Sequence, residues 1–304
     1  MHSARVVTIV LGYKSREYVS ACIESVLASR MPSRVLFVDN DSGDGSDGYV
    51  REQFAGRDVD VLQTGSNLGY AGGNNAGIRE AMKWAPEFVF ILNPDTTIDE
   101  GCIGQMVDVL EKQPTAALAS PKIFYAGGEQ KIWYAGSAMD WERGVPGHIG
   151  HHQIDDGAYD TLGPTFRANG AAMMVRATAM AQVGPMDDQY FLYYEEVDWS
   201  ERFKQAGYEV WFVPHAVCHH AVSSSTGGDD RPLCRYYMTR NNLLFMSRFG
   251  GAHEPAFRRY LRNDALRRMK GWLRHPSGDN LRMIRATIKA FADFGLKRFG
   301  PRRF

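Results

Sequence analysis

Residues 5–11 read Arg-Val-Val-Thr-Ile-Val-Leu, a run of mostly β-branched residues with no polar and apolar alternation. A strand with one wet face alternates, so this run needs cover on both faces. The architecture that provides such cover is a parallel sheet flanked by helices. The chain continues in that style. After Gly12 and Tyr13, the residues Tyr18, Cys22, Ile23, Val26 and Leu27 follow helical spacing, and strand runs recur at 35–38, 59–63 and 88–92, with a helix over about 75–84. This alternation predicts a mostly parallel sheet with crossover helices. The polar and glycine-rich segments fall at the strands' C-terminal ends, where open α/β sheets bind ligands.

The second half is less regular. Residues 131–160, with Trp133 and Trp141, predict a strand-like or hairpin region. Strand runs return at 170–175 and 209–213, with helices over 176–183 and from near Glu196. The last 54 residues read as helical, with Met283, Ile284, Ile288, Phe291, Phe294 and Phe299 approaching an apolar stripe.

Composition narrows the class. The 304 residues carry 35 Lys+Arg against 35 Asp+Glu and are 44% hydrophobic, which excludes a disordered, collagen-like or disulfide-scaffold chain. The longest apolar runs, 6–11 and 88–92, fall far short of the roughly 20 residues that span a bilayer, excluding a multi-span membrane protein. Cys22, Cys102, Cys218 and Cys234 form no CxxC pair and read as thiols of a reducing compartment. The N-terminal run stops at Gly12 and reads as a first strand, not a signal peptide, so the expected location is the cytoplasm. The zero net charge averages two unlike parts: 14 Lys+Arg against 3 Asp+Glu in 257–304, and 21 against 32 in 1–256.

Five segments carry chemistry. Asp39 ends the second strand run and opens a loop, Asn40-Asp41-Ser42-Gly43-Asp44-Gly45-Ser46; its carboxylate can accept the imide N–H of a uracil or thymine ring, or serve a local turn. The segment from Asn67 through Gly69 to Asn74 and Asn75 is neither GxGxxG nor a P-loop. It is still a glycine-rich strand-to-helix turn, suited either to phosphate approach or to close helix packing. Asn93-Pro94-Asp95 sets one carboxylate at the sheet edge, and a divalent cation bridging two phosphates needs only one or two protein carboxylates. Tyr193-Tyr194-Glu195-Glu196-Val197-Asp198-Trp199 crowds three carboxylates, which raises at least one pKa if the site is partly buried, as a general base requires; an acidic helix N-terminus is the alternative. Cys218-His219-His220 lacks zinc-site spacing, and one of its histidines acting with Asp95 on a cation is the functional reading.

In this order, with Asn169-Gly170-Ala171-Ala172-Met173-Met174-Val175-Arg176, the Ser223 to Gly228 run and Tyr236-Tyr237-Met238-Thr239-Arg240-Asn241-Asn242 in place, the chain resembles the family 2 inverting glycosyltransferases over about residues 5–248. The similarity is closest to the bacterial rhamnosyltransferase-like branch. The resemblance implies an α/β GT-A fold with a central mixed, mostly parallel sheet: a nucleotide-sugar half over about 1–125, an acceptor and catalytic half over about 126–250, and a helical tail over 251–304. It implies that Asp39 contacts the pyrimidine, and that Gly12, Tyr13, Asn67, Gly69, Asn74 and Asn93 line the nucleotide-sugar site, Gly12 standing where the family carries Asn. Asp95 takes the metal position of a DxD-like motif and His219 joins it at Mg2+ or Mn2+. Glu196 takes the position of the base, usually Asp, with Glu195 and Asp198 as alternatives. Asn169, Gly170 and Glu195 fall on the acceptor side, and Arg240 is a candidate diphosphate contact. The implied donor is a nucleotide diphosphate sugar, dTDP-rhamnose first and UDP-sugars as the alternative. The implied acceptor is a glycan or polyprenyl-linked saccharide of cell-surface polysaccharide synthesis.

A nucleotidyltransferase would want a basic glycine-rich signature after the first strand, which Gly12-Tyr13-Lys14 does not supply. A non-catalytic nucleotide-sugar binder would leave Asp95, Glu196 and His219 without a task. The basic segment 257–304 suits an anionic membrane surface on the inner face of the plasma membrane, with docking on the acidic body or a homodimer contact as alternatives. No recognised nucleic-acid module accompanies the charge.

Overall fold

The computed structural model describes residues 5–221, 232–275 and 277–302. The Ser223 to Gly228 run lies outside them. The strands are β1 (Val6–Gly12), β2 (Arg34–Asp39), β3 (Val59–Gln63), β4 (Phe88–Leu92), β5 (Thr96–Ile98), β6 (Ala116–Tyr125), β7 (Ile132–Tyr134), β8 (Ser137–Asp140), β9 (Val145–His148), β10 (Gly163–Pro164), β11 (Ala172–Arg176) and β12 (Glu209–His220). The α-helices are α1 (Val19–Leu27), α2 (Ser46–Gln53), α3 (Gly69–Ala81), α4 (Cys102–Lys112), α5 (Ala177–Val183), α6 (Glu195–Gln205), α7 (Pro232–Phe249), α8 (Glu254–Arg274) and α9 (Gly278–Gly295).

The main sheet runs β10-β12-β6-β11-β4-β1-β2-β3, with β5 added to β12 and β7 to β6, while β8 and β9 pair as a hairpin. β1 is parallel to β2 and β4, and β2 to β3. β11 enters antiparallel between β4 and β6, with Ala172 opposite Leu92. Every residue of β1 is buried. Val6 and Val10 join a core with Cys22, Ile23 and Val26 of α1 and Ile103 and Met106 of α4. Val7, Ile9 and Leu11 face the other way, onto Ala71 and Ile78 of α3 and Trp199 and Phe203 of α6. The period-two geometry of a strand thus divides one apolar run between two cores.

The glycine-rich segment is helix from Gly69 onward, six residues earlier than its pattern suggests. A Cβ at Gly73 would meet Leu11 at 2.6 Å and one at Gly77 would meet Ile9 at 2.8 Å. These glycines let α3 lie close on the sheet. Gly12, at the family's Asn position, is likewise a packing requirement, since a Cβ there would sit 2.6 Å from the Phe37 ring.

The C-terminal region is two helices, and the apolar stripe of α9 is docked on the body. Ala286 and Ala290 pack on Tyr236 and Tyr237 of α7, while Phe291, Phe294 and Phe299 pack against the cluster of Tyr190, Tyr194 and Phe245. Tyr236 donates to Asp293 at 2.6 Å. Ile288, also in the stripe, stays 54% exposed.

Arg240 anchors this junction. It is fully buried, and its guanidinium donates to Asn241 Oδ1 and to the carbonyls of Gly300, Gln189 and Tyr190, all within 2.9 Å. The sequence placed Arg240 at the diphosphate; its donors are committed here to the chain itself. Arg240→Met would remove the three donations that tie Gly300 to Gln189 and Tyr190, and it should lower unfolding free energy by roughly 3 kcal/mol. Urea denaturation checks this through the midpoint at unchanged slope.

Candidate active site

Antiparallel pairing of β5 with β12 sets His220 opposite Thr96 and His219 opposite Thr97. Ala221 N–H also donates to the Asp95 carbonyl at 2.8 Å. Adjacent residues of a strand face opposite sides, so only one of the two histidines can reach Asp95, and it is His220. Its Nε2 lies 3.2 Å from Asp95 Oδ1, with both side chains about nine-tenths buried. His219 turns outward, 40% exposed, toward Asp99. The sequence assigned His219 to a metal position beside Asp95; the register brings His220, not His219, to Asp95.

The remaining donor-side candidates gather at the C-terminal ends of β1, β2 and β4. Asp39 is buried and its Oδ1 accepts from Ser42 N–H at 3.2 Å. Asn67 Oδ1 accepts from Gly69 N–H at 2.9 Å, and Asn40, which the sequence did not single out, accepts from Leu68 N–H at 3.0 Å. The start of α3 is thereby tied to the β2 loop. Gly69 has φ +73°, and a Cβ there would meet the Phe191 carbonyl at 2.2 Å, so the turn needs glycine. Asn74 is buried with its Nδ2 on the Tyr70 carbonyl and its Oδ1 without a hydrogen-bond partner among the described residues. Asn93 is fixed through its backbone to the Ala171 carbonyl. Tyr13 is exposed beside Gly12.

The three crowded carboxylates have separate environments. Asp198 is fully buried and spent: Tyr190 and Arg202 hydrogen-bond it, and Arg248 sits 2.9 Å away. Glu195 is buried, and burial, with the charge of Glu196 beside it, pushes its carboxyl well above the usual carboxylate range. Glu196 retains limited exposure and meets Arg167, with Nη1 to Oε1 at 3.0 Å. A Cβ on Gly170 would lie 3.7 Å from Glu196 Cγ and 3.4 Å from the Tyr70 hydroxyl, so Gly170 forms the floor beside the carboxylate. The loop entering α6 has Phe191, Tyr193 and Tyr194 at positive φ, a conformation costing about 1–3 kcal/mol per residue. Asn241 Nδ2 holds it through the carbonyls of Tyr190, Leu192 and Tyr193, all within 2.9 Å.

Behind Glu196 lies a chain of contacts. Arg167 Nη2 donates to His148 Nε2 at 2.8 Å, and His148 Nδ1 lies 2.8 Å from the Trp133 carbonyl. Asn169 Nδ2 approaches the same His148 Nε2 at 3.5 Å. The Trp133 ring is edge-on to both His148 and His220, with centroids 5.3 and 5.6 Å away. Asp95 and Glu196 therefore belong to one connected cluster. Arg167, His148, Trp133 and Tyr70 were not singled out in the sequence as site residues. His148 and Trp133 lie in its least periodic stretch, and Arg167 in the loop between β10 and β11.

The glycosyl transferase family 2 model matches residues 7–174. The chain belongs to glycosyltransferase family 2. Among relatives, an N-acetylglucosaminyl-diphospho-decaprenol L-rhamnosyltransferase of Mycobacterium tuberculosis is 29% identical over 233 residues, 67% of this chain and 71% of that one. Two solved structures share the fold at low identity. TarS 1-349 of S. aureus, in complex with UDP-GlcNAc, aligns over 95% of this chain and 80% of its own with a TM-score of 0.60 and 14% identity. The mannosyltransferase PcManGT of Pyrobaculum calidifontis, in complex with GDP-Man and Mn2+, aligns over 96% and 75% with a TM-score of 0.59 and 16% identity. The fold is GT-A, and the protein is a glycosyltransferase.

The residues of this glycosyltransferase fit a divalent cation shared with a bound diphosphate. His220 Nδ1 is buried with no hydrogen-bond partner among the described residues, and its other nitrogen meets Asp95. No group of three or more His, Cys, Asp or Glu side chains converges among the described residues, so a cation here would take its other ligands from phosphate oxygens and water. His220→Ala is expected to weaken Mn2+-dependent nucleotide binding by roughly tenfold or more, on the scale of metal-site losses, while His219→Ala leaves it near the parent value. Isothermal titration of UDP and dTDP with and without Mn2+ measures both.

Proposed function

We propose that this glycosyltransferase transfers a sugar with inversion from a nucleotide diphosphate donor to a hydroxyl of a lipid-linked or glycan acceptor. L-rhamnose from dTDP-rhamnose is the first candidate donor, supported by the mycobacterial relative's rhamnosyl transfer to a decaprenyl-linked saccharide. A UDP-sugar is the alternative, supported by the TarS complex with UDP-GlcNAc. The observation that carries the reading is the contiguity of Asp95 and His220 with Glu196 through Trp133, His148 and Arg167. A leaving-group site and a base must lie close together on either side of one anomeric carbon.

In this reading Glu196 accepts the proton of the acceptor hydroxyl as that oxygen bonds to C1. The bond from C1 to the phosphate oxygen breaks on the opposite face, and its electron pair leaves on the diphosphate. Mg2+ or Mn2+ held by Asp95 and His220 would supply charge neutralisation for that diphosphate. Asp39, with Gly12 and Tyr13 beside it, would bound the base and ribose side, and Asn67, Gly69, Asn74 and Asn93 the diphosphate side. Asn169 and Gly170 would border the acceptor beside Glu196.

The tail adds a surface. Arg259, Arg262, Leu266, Lys270 and Leu273 follow one another at three- or four-residue steps on α8 and so share a face. All five are exposed, and the three cations form no ion pair among the described residues. Among the described residues no helix is long and apolar enough to cross a membrane. In our reading this face holds the enzyme to anionic lipid, where a polyprenyl-linked acceptor resides.

Glu196→Gln should lower transfer by roughly 100-fold or more, the usual scale of acid-base catalysis, while dTDP and UDP still bind; near-parent transfer would remove Glu196 as the base. Thermal shift across dTDP- and UDP-sugars with Mn2+ identifies the donor as the one giving the largest stabilisation. Reversing Arg259, Arg262 and Lys270 to Glu should abolish flotation of the full chain with phosphatidylglycerol vesicles, and unchanged flotation would remove the membrane role from α8.

A further inference from the structure

Two adjacent carboxylates, Glu195 and Glu196, begin α6, and one base is required. We propose that Arg167, locked in place by His148, is the positioning residue that pairs with the Glu196 carboxylate and aims it, and so distinguishes Glu196 from the adjacent Glu195. This rests on the assignment of Glu196 as base.

Arg167 is buried, and Glu196 is the one carboxylate within ion-pair distance of it among the described residues. A buried guanidinium requires a counter-charge, and a carboxylate beside it is favoured in its ionised form. The contact uses Oε1 of Glu196. The same guanidinium group donates Nη1–H to the Ala168 carbonyl and Nη2–H to His148. The Tyr134 hydroxyl holds the Arg167 carbonyl at 2.6 Å.

The tautomer of His148 follows from its partners. The Trp133 carbonyl only accepts, so Nδ1 carries the hydrogen; Arg167 only donates, so Nε2 must accept. His148 is therefore neutral, and burial beside the Arg167 charge pushes it down to about 3. Neutral His148 consumes one guanidinium N–H without competing for its charge, and that fixes the plane of the fork facing Glu196.

The other titratable groups around Glu196 do not supply the counter-charge. Glu195 precedes it on α6. Tyr70 of α3, Tyr134 of β7 and Tyr194 before α6 are all displaced upward by burial, with Glu196 adding to the shift. They remain neutral hydroxyls. Glu195 feels Arg167 as well as Glu196, but burial dominates it, and the ion pair of Arg167 is made with Glu196.

The test is the pH dependence of kcat for sugar transfer with donor saturating, for Arg167→Met, Arg167→Lys and Glu196→Gln in parallel. A carboxylate base that loses a neighbouring cation is protonated more easily, so activity is lost at a higher pH. Arg167→Met should move the acid limb of kcat upward by about one pH unit or more and lower the plateau by roughly 100-fold, with donor KM within about threefold of the parent. Arg167→Lys, which keeps the charge and loses the fork, should restore most of the limb and less of the plateau. A parent acid limb in Arg167→Met, or coincident profiles for Met and Lys, overturns the proposal. If Arg167→Met does not fold, His148→Gln and His148→Leu read the same contact. Gln can accept from Arg167 and should lose less than Leu; equal loss overturns it. Substantial transfer by Glu196→Gln refutes the base assignment itself, whereas an inactive Glu196→Gln beside an unshifted Arg167→Met refutes only the positioning role.

Discussion

The antiparallel entry of β11 between β4 and β6 is the constraint on which the site depends. A parallel strand in that slot would begin at the far edge. Because β11 runs the other way, with Ala172 opposite Leu92 and Val175 opposite Val89, the residues before it arrive where β4 ends. Arg167, Asn169 and Gly170 thus reach the same edge as Asn93 and Asp95, and the Asn93 N–H to Ala171 carbonyl bond closes the junction. β12 then runs along β6 and receives β5 at its end, which delivers His220 to Asp95. Two strand pairings of opposite sense assemble a site from segments more than a hundred residues apart.

At that edge, environment decides what identical functional groups do. Within four residues, Asp198 is surrounded by Arg202, Arg248 and Tyr190, Glu195 is buried with no ion pair among the described residues, and Glu196 has Arg167. Charge repulsion along a sequence says only that three carboxylates cannot all ionise cheaply. Which partners each one meets is settled by residues from other elements. The histidines show the same logic in neutral form. His148 is fixed in one tautomer by a carbonyl on one side and a guanidinium on the other, and Trp133 packs against both it and His220.

The sequence made the sheet legible because burial on both faces leaves a run such as 6–11 unmistakable; it offered Asp39 and Asp95 as candidates because polar residues collect where such runs end, and Glu196 because three carboxylates crowd there. It named His219 beside Asp95, where the structure sets His220. That choice is a matter of strand parity, and a one-residue change of register exchanges the two faces. Arg240 misled for a related reason: a lone arginine within a polar Thr-Arg-Asn segment reads as a phosphate ligand, yet its partners, the carbonyls of Gln189, Tyr190 and Gly300, carry no side-chain signature. Arg167 and His148 were invisible because their significance lies in a contact between a short hairpin and a loop, and neither has a period. The glycines of α3 left phosphate approach and close helix packing both open, and Gly73 and Gly77 serve the helix-to-sheet approach.

The division of the chain into an acidic body and a basic tail also takes a more specific form. A stripe such as that of α9 could face lipid, a second subunit or the body, and its alanines and phenylalanines are used against α7 and the Tyr190 cluster. α9 therefore belongs to the structure that holds the loop before α6: Arg240 joins the Gly300 carbonyl to those of Gln189 and Tyr190, so the end of the chain and the approach to Glu195 share one anchor. Removing the tail as a block would uncover Tyr236 and Tyr237 and loosen that approach, confounding any effect on a surface with an effect on the site. The charge that remains outward on α8 can be altered without touching this anchor, so only substitutions on that face separate a surface role of the tail from its structural one.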